Sequence, residues 1–297
     1  MLISVIIPHY NQEDQLRICL SALDAQRGVT AAVEIIVVDN ASRRMPEAIC
    51  AAWPDVRLLS EKTPGPGPAR NRGAAAAKGD VLAFIDADCH AHPDWLHHIE
   101  QAFANPHTQI LGGDVQVGYV DPTKPTFLEP YEAIYSFRNR EYILKGFSAT
   151  CNLAMRSTIL RHVGPFAGIA IAEDRDWGLR SKALGYRTEY VAPMIVYHPA
   201  RRSFSELAKK WDRLIAHDFE GKAPGTWGIA KWIGRTVAVS GSPLFELRTI
   251  ATSPRVAGLA QRVTALACLC AVRTYRGYAM TRILLRGVAS NRNDWSR

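Results

Sequence analysis

The first 90 residues alternate short apolar runs with amphipathic or capped stretches, a pattern that predicts repeated βαβ units around a parallel sheet. Ile3 to Pro8 predicts a buried first strand, Val33 to Val38 a second, Val56 to Leu59 a third and Val81 to Ile85 a fourth. After the first strand, Leu16, Leu20 and Leu23 recur at helical spacing, with Asn11 at the N-cap position and Asp14 three residues on. Pro64-Gly65-Pro66-Gly67-Pro68 is too rich in proline for regular structure and leads into a helix over Ala69 to Lys78, stopped by Gly79. Pro93, at a first-turn position, opens the next helix.

Beyond residue 105 the pattern is less regular. Residues 109 to 119 and 147 to 155 predict strands, with Gly112-Gly113 and Gly146 marking bends, and Glu173 to Leu184 predicts a helix ended by Gly185. From Ser203 the pattern is helical, broken at Pro224, Pro243 and Pro254. The chain has no internal repeat and no low-complexity tract.

Composition adds bounds. With 297 residues, 47% of them apolar and 22% charged, the chain can bury one large core or a core with an appendage. The apolar stretch Val263 to Val272 is too short to cross ~30 Å of hydrocarbon, so no transmembrane helix is expected. Met1-Leu2-Ile3-Ser4-Val5 lacks the basic start of a signal peptide, which makes a cytoplasmic location the expectation. The six cysteines form no C-x-x-C pair, which argues against a zinc site and fits reduced thiols. The net charge of +8 is unevenly placed: residues 199–297 hold 17 Lys and Arg against 6 Asp and Glu, net +11, and residues 1–198 hold 19 against 22, net −3. A basic tail on a mildly acidic body calls for an anionic partner.

In a doubly wound α/β sheet, ligands sit beyond the carboxyl ends of the strands. Here those ends are polar in series: Pro8-His9-Tyr10-Asn11, Asp39-Asn40 and Asp86-Ala87-Asp88. Each alone is a common turn former; together they bring a ring, amides and three carboxylates to one crevice. Asp86 and Asp88 supply hard oxygen ligands of the kind a divalent cation takes. Arg70 and Arg72 follow the Pro-Gly loop, where a guanidinium can pair with a diphosphate or ribose, or simply be solvated. Gly65-x-Gly67 is no dinucleotide fingerprint, because it does not join the first strand to its helix and lacks the third glycine.

Pro8-His9-Tyr10-Asn11, Val37-Val38-Asp39-Asn40-Ala41-Ser42, Ala69-Arg70-Asn71-Arg72-Gly73, Phe84-Ile85-Asp86-Ala87-Asp88 and Ala172-Glu173-Asp174-Arg175-Asp176-Trp177, in this order and spacing, resemble the family 2 glycosyltransferases. The resemblance covers roughly residues 1–200 and implies the GT-A nucleotide-diphosphosugar transferase fold, a mainly parallel twisted α/β sheet flanked by helices. A nucleotide-binding half over about 1–110, an acceptor half over about 111–200 and a basic helical C-terminal extension over 201–297 are expected. By the resemblance, Pro8, Tyr10, Asn11 and Asp39 face the nucleotide, Arg70 the ribose or diphosphate, and Asp86 and Asp88 the ribose and a Mn2+ or Mg2+ ion, with His198 as a further ligand. Asp174 is the expected base of an inverting, single-sugar transfer and Glu173 its reserve, since such a transfer needs a carboxylate near the acceptor hydroxyl. Acidic residues at a helix start also complement its dipole without any catalytic role. Asn152 and Trp177 are implied as acceptor contacts. A UDP-sugar is the implied donor, as the family's commonest choice, and a glycan or lipid-linked hydroxyl the acceptor. A polyprenyl phosphate acceptor would need the base less. The Q-x-x-R-W motif of processive synthases has no match, Lys209-Lys210-Trp211-Asp212-Arg213 being the nearest stretch, so chain polymerisation is not expected.

In the tail, Arg255, Arg262 and Arg273 return to nearly one helical angle at ~3.6 residues per turn. With Trp211, Trp227, Trp232, Tyr275 and Tyr278 they predict either a basic stripe on an anionic membrane or a solvated face of a packed helix, while Arg282 and Arg286 point to the other side. A basic chain of this size also admits a non-catalytic scaffold or a nucleic-acid binder, but no standard nucleic-acid motif is present and none is expected as partner.

Overall fold

A computed structural model describes residues 1–169, 172–220 and 226–286. Pro224 and the side chains of Trp227 and Arg286 lie outside the described residues. The chain divides into two compact units: residues 1–118 with 137–199, and residues 119–136 with 200–297. Residues 119–136, expected in the acceptor half, thus belong to the second unit.

The first unit is built on an eight-stranded sheet: β1 (Leu2–His9), β2 (Ala32–Asp39), β3 (Val56–Ser60), β4 (Val81–Phe84), β5 (His90–Ala91), β6 (Ile110–Gly118), β7 (Leu153–Arg156) and β8 (Thr188–Pro199). Their order is β3-β2-β1-β4-β7-β6-β8-β5. β1 to β4 are mutually parallel, as is β6 with β8, whereas β7 runs antiparallel to both its neighbours and β5 antiparallel to β8. β1 is buried on both faces, which is why its sequence is a continuous apolar run rather than an alternation. Ile3, Val5 and Ile7 pack with Leu16, Leu20 and Leu23 of α1 (Glu13–Asp24), while Ile6 faces the opposite core with Phe84, Leu153 and Trp177.

Three expectations about boundaries fail for local reasons. The helix after the Pro-Gly loop, α2, spans Pro66–Ala76 and so begins inside the loop. Its prolines stand in the first turn, where no intrahelical N–H is needed. Asn11 is no N-cap: it takes a left-handed φ of 50°, and its Oδ1 accepts from the Arg43 amide at 2.8 Å, which leaves Gln12 at the cap position. The strand expected over 147–155 is reduced to β7, preceded by a 3-10 turn over Thr150–Asn152. α3 (Trp95–Phe103) follows Pro93 with Asp94 at its cap position, and α4 spans Glu173–Ala183.

α2 lies close against β1 and against the loop at Phe166 and Ala167 because two of its residues lack side chains. A Cβ on Gly73 would stand 2.5 Å from Ile6 Cγ2, and one on Gly67 would stand 2.0 Å from the Ala167 carbonyl oxygen. The glycine that ends Ala69-Arg70-Asn71-Arg72-Gly73 is therefore a close-approach residue that lets Arg70 reach the strand ends.

The second unit is helical, with α5 (Phe204–Glu220), α6 (Thr226–Gly241) and α7 (Gly258–Arg286) as its long elements and a shorter helix at Glu129–Tyr135. Leu207 and Tyr131 pack with Ala265, Cys268, Leu269 and Val272 of α7, and Trp232 with Ile215, Ala279 and Met280. No helix among the described residues is long and apolar enough to cross a membrane. The expected arginine stripe does not form. Arg255 precedes α7, Arg262 donates to the carbonyls of Ile250, Ser253 and Val256, and Arg273 lies 3.8 Å from Glu246. These guanidiniums hold the unit's own loops and helices together.

Gly73→Ala is expected to lower the unfolding free energy by about 1–3 kcal/mol through overpacking against Ile6. The urea midpoint would read this, and an unchanged midpoint would mean that α2 can lift from the sheet freely.

Candidate active site

The carboxyl ends of β1, β2 and β4 converge as the sequence predicts. His9, at the end of β1, is buried, and its Nδ1 lies 2.9 Å from Asp39 Oδ1. The Gln12 amide donates to Nε2 at 3.2 Å, so the network assigns the ring proton to Nδ1 and a donated hydrogen bond to Asp39. Asp39 Oδ2 accepts from the Ser42 amide at 3.1 Å. Both Asp39 oxygens are thus engaged at the end of β2, and Asp39 is 3% exposed. Tyr10, by contrast, is 58% exposed. Asn40 ties the end of β2 to the Pro-Gly loop, accepting from the Gly65 amide at 2.7 Å and donating to the carbonyls of Glu61 and Thr63. Pro8 is buried within β1.

Arg70 is the centre of the arrangement. It projects from α2, is 2% exposed, and divides its two terminal nitrogens between two carboxylates: Nη2 lies 2.5 Å from Asp86 Oδ1 and Nη1 2.9 Å from Glu173 Oε1. Burial alone would depress its pKa, but the charges of Asp86 and Glu173 outweigh burial and raise it. Its Nε has no hydrogen-bond partner among the described residues. Arg72 is exposed. Asn71 turns the other way and exchanges two hydrogen bonds with the backbone of Phe166, at 2.8 and 2.9 Å, fixing the segment that leads to α4.

Asp88 stands two residues past Asp86, with Gln12 Nε2 3.3 Å and His198 Nε2 3.8 Å from its Oδ2. His198 lies near the end of β8, its Nδ1 is 2.7 Å from the Pro199 carbonyl, and Phe137 packs on its ring. That contact assigns the proton to Nδ1 and leaves the Nε2 lone pair on the side of Asp88. Burial raises the pKa of Asp88. Ligand atoms of Asp88, Cys89 and His198 lie within 4.8 Å of one another. Burial, reinforced by Cys151, pushes the Cys89 thiol well up, and its Sγ donates a hydrogen bond to Asp88. The Asp88 carboxylate and the His198 imidazole nitrogen are donors of the kind Mn2+ or Mg2+ takes.

At the start of α4, Glu173 is held by Arg70 whereas Asp174 has no ion pair among the described residues. Asp174 is half-buried; burial raises its pKa, partly offset by the Arg175 amide that donates to it at 2.6 Å.

The two expected acceptor contacts are structural instead. Asn152 is fully buried: its Oδ1 accepts from Trp95 Nε1 at 2.9 Å, and its Nδ2 donates to the carbonyls of Asp114 and Met194 at 2.7 and 2.9 Å. Asp114 follows a register jump between β6 and β8, so the amide pairs carbonyls at a break in the ladder. Trp177 is 2% exposed, donates to the Gly164 carbonyl at 3.0 Å and packs on Phe166. Neither offers a surface to an acceptor. His9 and Gln12 were not singled out from the sequence; His9 had a signal, standing inside the first polar strand end, whereas Gln12 had none.

Asn152→Leu is expected to lower the unfolding free energy by about 3 kcal/mol, because it leaves the Trp95 N–H and two carbonyls unpaired in the core. Urea unfolding is the measurement, and a loss below about 1 kcal/mol would remove the strut role.

The profile of glycosyl transferase family 2 matches residues 4–164. Glycosyltransferase AglE of Haloferax volcanii is 32% identical over 219 residues, covering 71% of each chain. The fold is also that of the mannosyltransferase PcManGT of Pyrobaculum calidifontis, solved with GDP-Man and Mn2+, at a TM-score of 0.58 and 16% identity over 96% of this chain and 87% of that one. TarS of S. aureus, solved with UDP-GlcNAc, aligns at a TM-score of 0.54 and 16% identity over 96% and 91% of the two chains. With its mixed, mostly parallel sheet flanked by helices and its matched motifs, the chain belongs to glycosyl transferase family 2 and is a glycosyltransferase of the GT-A fold.

Proposed function

We propose that the chain moves one sugar, with inversion and in the presence of Mn2+ or Mg2+, from a nucleotide-diphosphate sugar to a hydroxyl of a glycan or lipid-linked acceptor. A UDP-sugar is the first choice of donor, and cell-surface polysaccharide or glycolipid assembly on the cytoplasmic side the setting. The carrying observation is the division of labour around Arg70: it engages Asp86 and Glu173, while Asp174 has no ion pair among the described residues.

In this reading Pro8, Tyr10, Asn11 and Asp39 border the base and ribose, and Arg70 offers its unpartnered Nε to the donor's ribose or phosphate. Asp88, Asp86 and His198 would hold the cation, which supplies charge neutralisation for the departing nucleoside diphosphate. Asp174 accepts the acceptor's hydroxyl proton as that oxygen forms its bond to the anomeric carbon. The bond from the anomeric carbon to the diphosphate breaks on the opposite face, and its electron pair leaves with the diphosphate. Burial keeps Asp174 a stronger base, and the neighbouring Glu173 carboxylate adds to this against the pull of Arg70. The donor classes bound by PcManGT and TarS support a nucleotide-sugar donor without choosing the base.

Because Asp174 must be ionised to accept a proton and its pKa is raised, kcat should fall with decreasing pH, along an acidic limb above the ordinary aspartate value of ~3.9. Asp174→Asn is expected to lower kcat at least about 100-fold and to remove that limb while leaving donor KM nearly unchanged. A loss below about tenfold would sink the base assignment and favour an acceptor that is already anionic, such as a polyprenyl phosphate.

Calorimetry with UDP, GDP, CDP and dTDP, each with Mn2+ and with chelator, tests the donor site. One nucleotide should bind tightly only with the cation, and Asp88→Ala should abolish that dependence. Binding indifferent to chelator would remove the cation from the reading.

A further inference from the structure

α6 is apolar on both sides. Its inner side buries Trp232 against Phe219, Ile215 and Met280. On the outer side Ile229, Ile233 and Val237 follow one another at i, i+4 and i+8, exposed at 39%, 48% and 69%. Ala230, Gly234 and Ala238 each follow one of them and are exposed too, and α6 carries no carboxylate. The ridge continues past the helix into the 3-10 turn Ser242–Phe245, where Leu244 and Phe245 are 74% and 86% exposed, and on to Leu247. A run of exposed apolar residues of this length is costly in water and marks a surface that is covered in use.

Charge selects the cover. Most described carboxylates of the second unit are already engaged: Glu129 accepts from the amides of Val120 and Thr126, Glu132 pairs with Arg201, Asp212 with Arg282, Asp218 with Arg235, and Glu246 with Arg273. Exposed Arg202, Lys209, Arg213 and Arg248 have no carboxylate partner among the described residues. Arg213 adjoins exposed Leu214, and Arg248 adjoins exposed Leu247. A second copy docking through the same unit would set that positive excess against its own and be repelled. An anionic lipid headgroup layer supplies the opposite charge, with an apolar boundary beneath it for the ridge.

We propose that α6 and the turn after it form a ridge that seats in the headgroup layer of an anionic bilayer, lying in the interface without crossing it. At 16 residues α6 is too short to span. The contact differs from the arginine stripe expected from the sequence, whose members Arg262 and Arg273 are engaged inside the unit. It is independent of the sugar-transfer reading.

The test is co-sedimentation of the full chain with vesicles of phosphatidylcholine alone and of phosphatidylcholine mixed with phosphatidylglycerol, with no donor or acceptor added. Binding to the mixed vesicles should be at least about tenfold tighter than to the neutral ones. Val237→Asp combined with Phe245→Asp should weaken it at least about tenfold, and Arg213→Glu combined with Arg248→Glu should bring it near the neutral-vesicle value. Both positions of the first pair are exposed, and an unchanged melting temperature checks that the variants fold. Equal binding to the two vesicle types, or wild-type binding by the Val237→Asp and Phe245→Asp variant, would overturn the proposal. So would self-association without vesicles that the same variant abolishes, because a second copy would then be the cover.

Discussion

A guanidinium buried to 2% exposure between two carboxylates sets the geometry of the site. Desolvating an arginine is affordable only where anions and good hydrogen-bond geometry replace water. Asp86 and Glu173 do so, one from the end of the central strand and one from the start of α4. Removing either carboxylate would leave a buried cation short of a partner, so the three positions constrain one another more tightly than their separation in the chain suggests. The close contact of α2 with β1 serves the same end, since a side chain at Gly73 would push Arg70 away from the strand ends.

Much of the first unit was legible in the sequence because its signals are local. Continuous apolar runs identify β1, β2 and β4 within a residue or two, and the polar residues ending them stand where an open α/β sheet places ligands. What escaped was decided by distant partners. Asn152 reads as a polar residue near a site, and only the register break between β6 and β8 shows that its amide pairs stranded carbonyls. Trp177 reads as a platform for a sugar, yet it fills the core beneath α4. Asn11 looks like a helix cap until the Arg43 amide claims its oxygen.

The second unit inverted the expectation in a different way. Composition alone makes its arginines the surface feature and its apolar residues the core. In the fold several arginines turn inward, Arg276 stacking on Trp211 at 3.9 Å and Arg262 gathering carbonyls, while isoleucines and a phenylalanine face out. Helical periodicity places residues on a face but does not say which face is covered, and the segment 119–136 that helps build this unit is remote from it in the chain.

Arg70 and Glu173 are 103 residues apart in sequence. A chain emerging from the ribosome makes β1 to β4 and the strand-end carboxylates long before Glu173 exists. Over that interval Arg70 has Asp86 alone, and a cation with half its compensation does not settle into a dry interior. Closure of the site is therefore a late event of synthesis, tied to the docking of α4. A fragment ending before residue 173 would keep every nucleotide-facing motif and still lack the local electrostatics that make them a site.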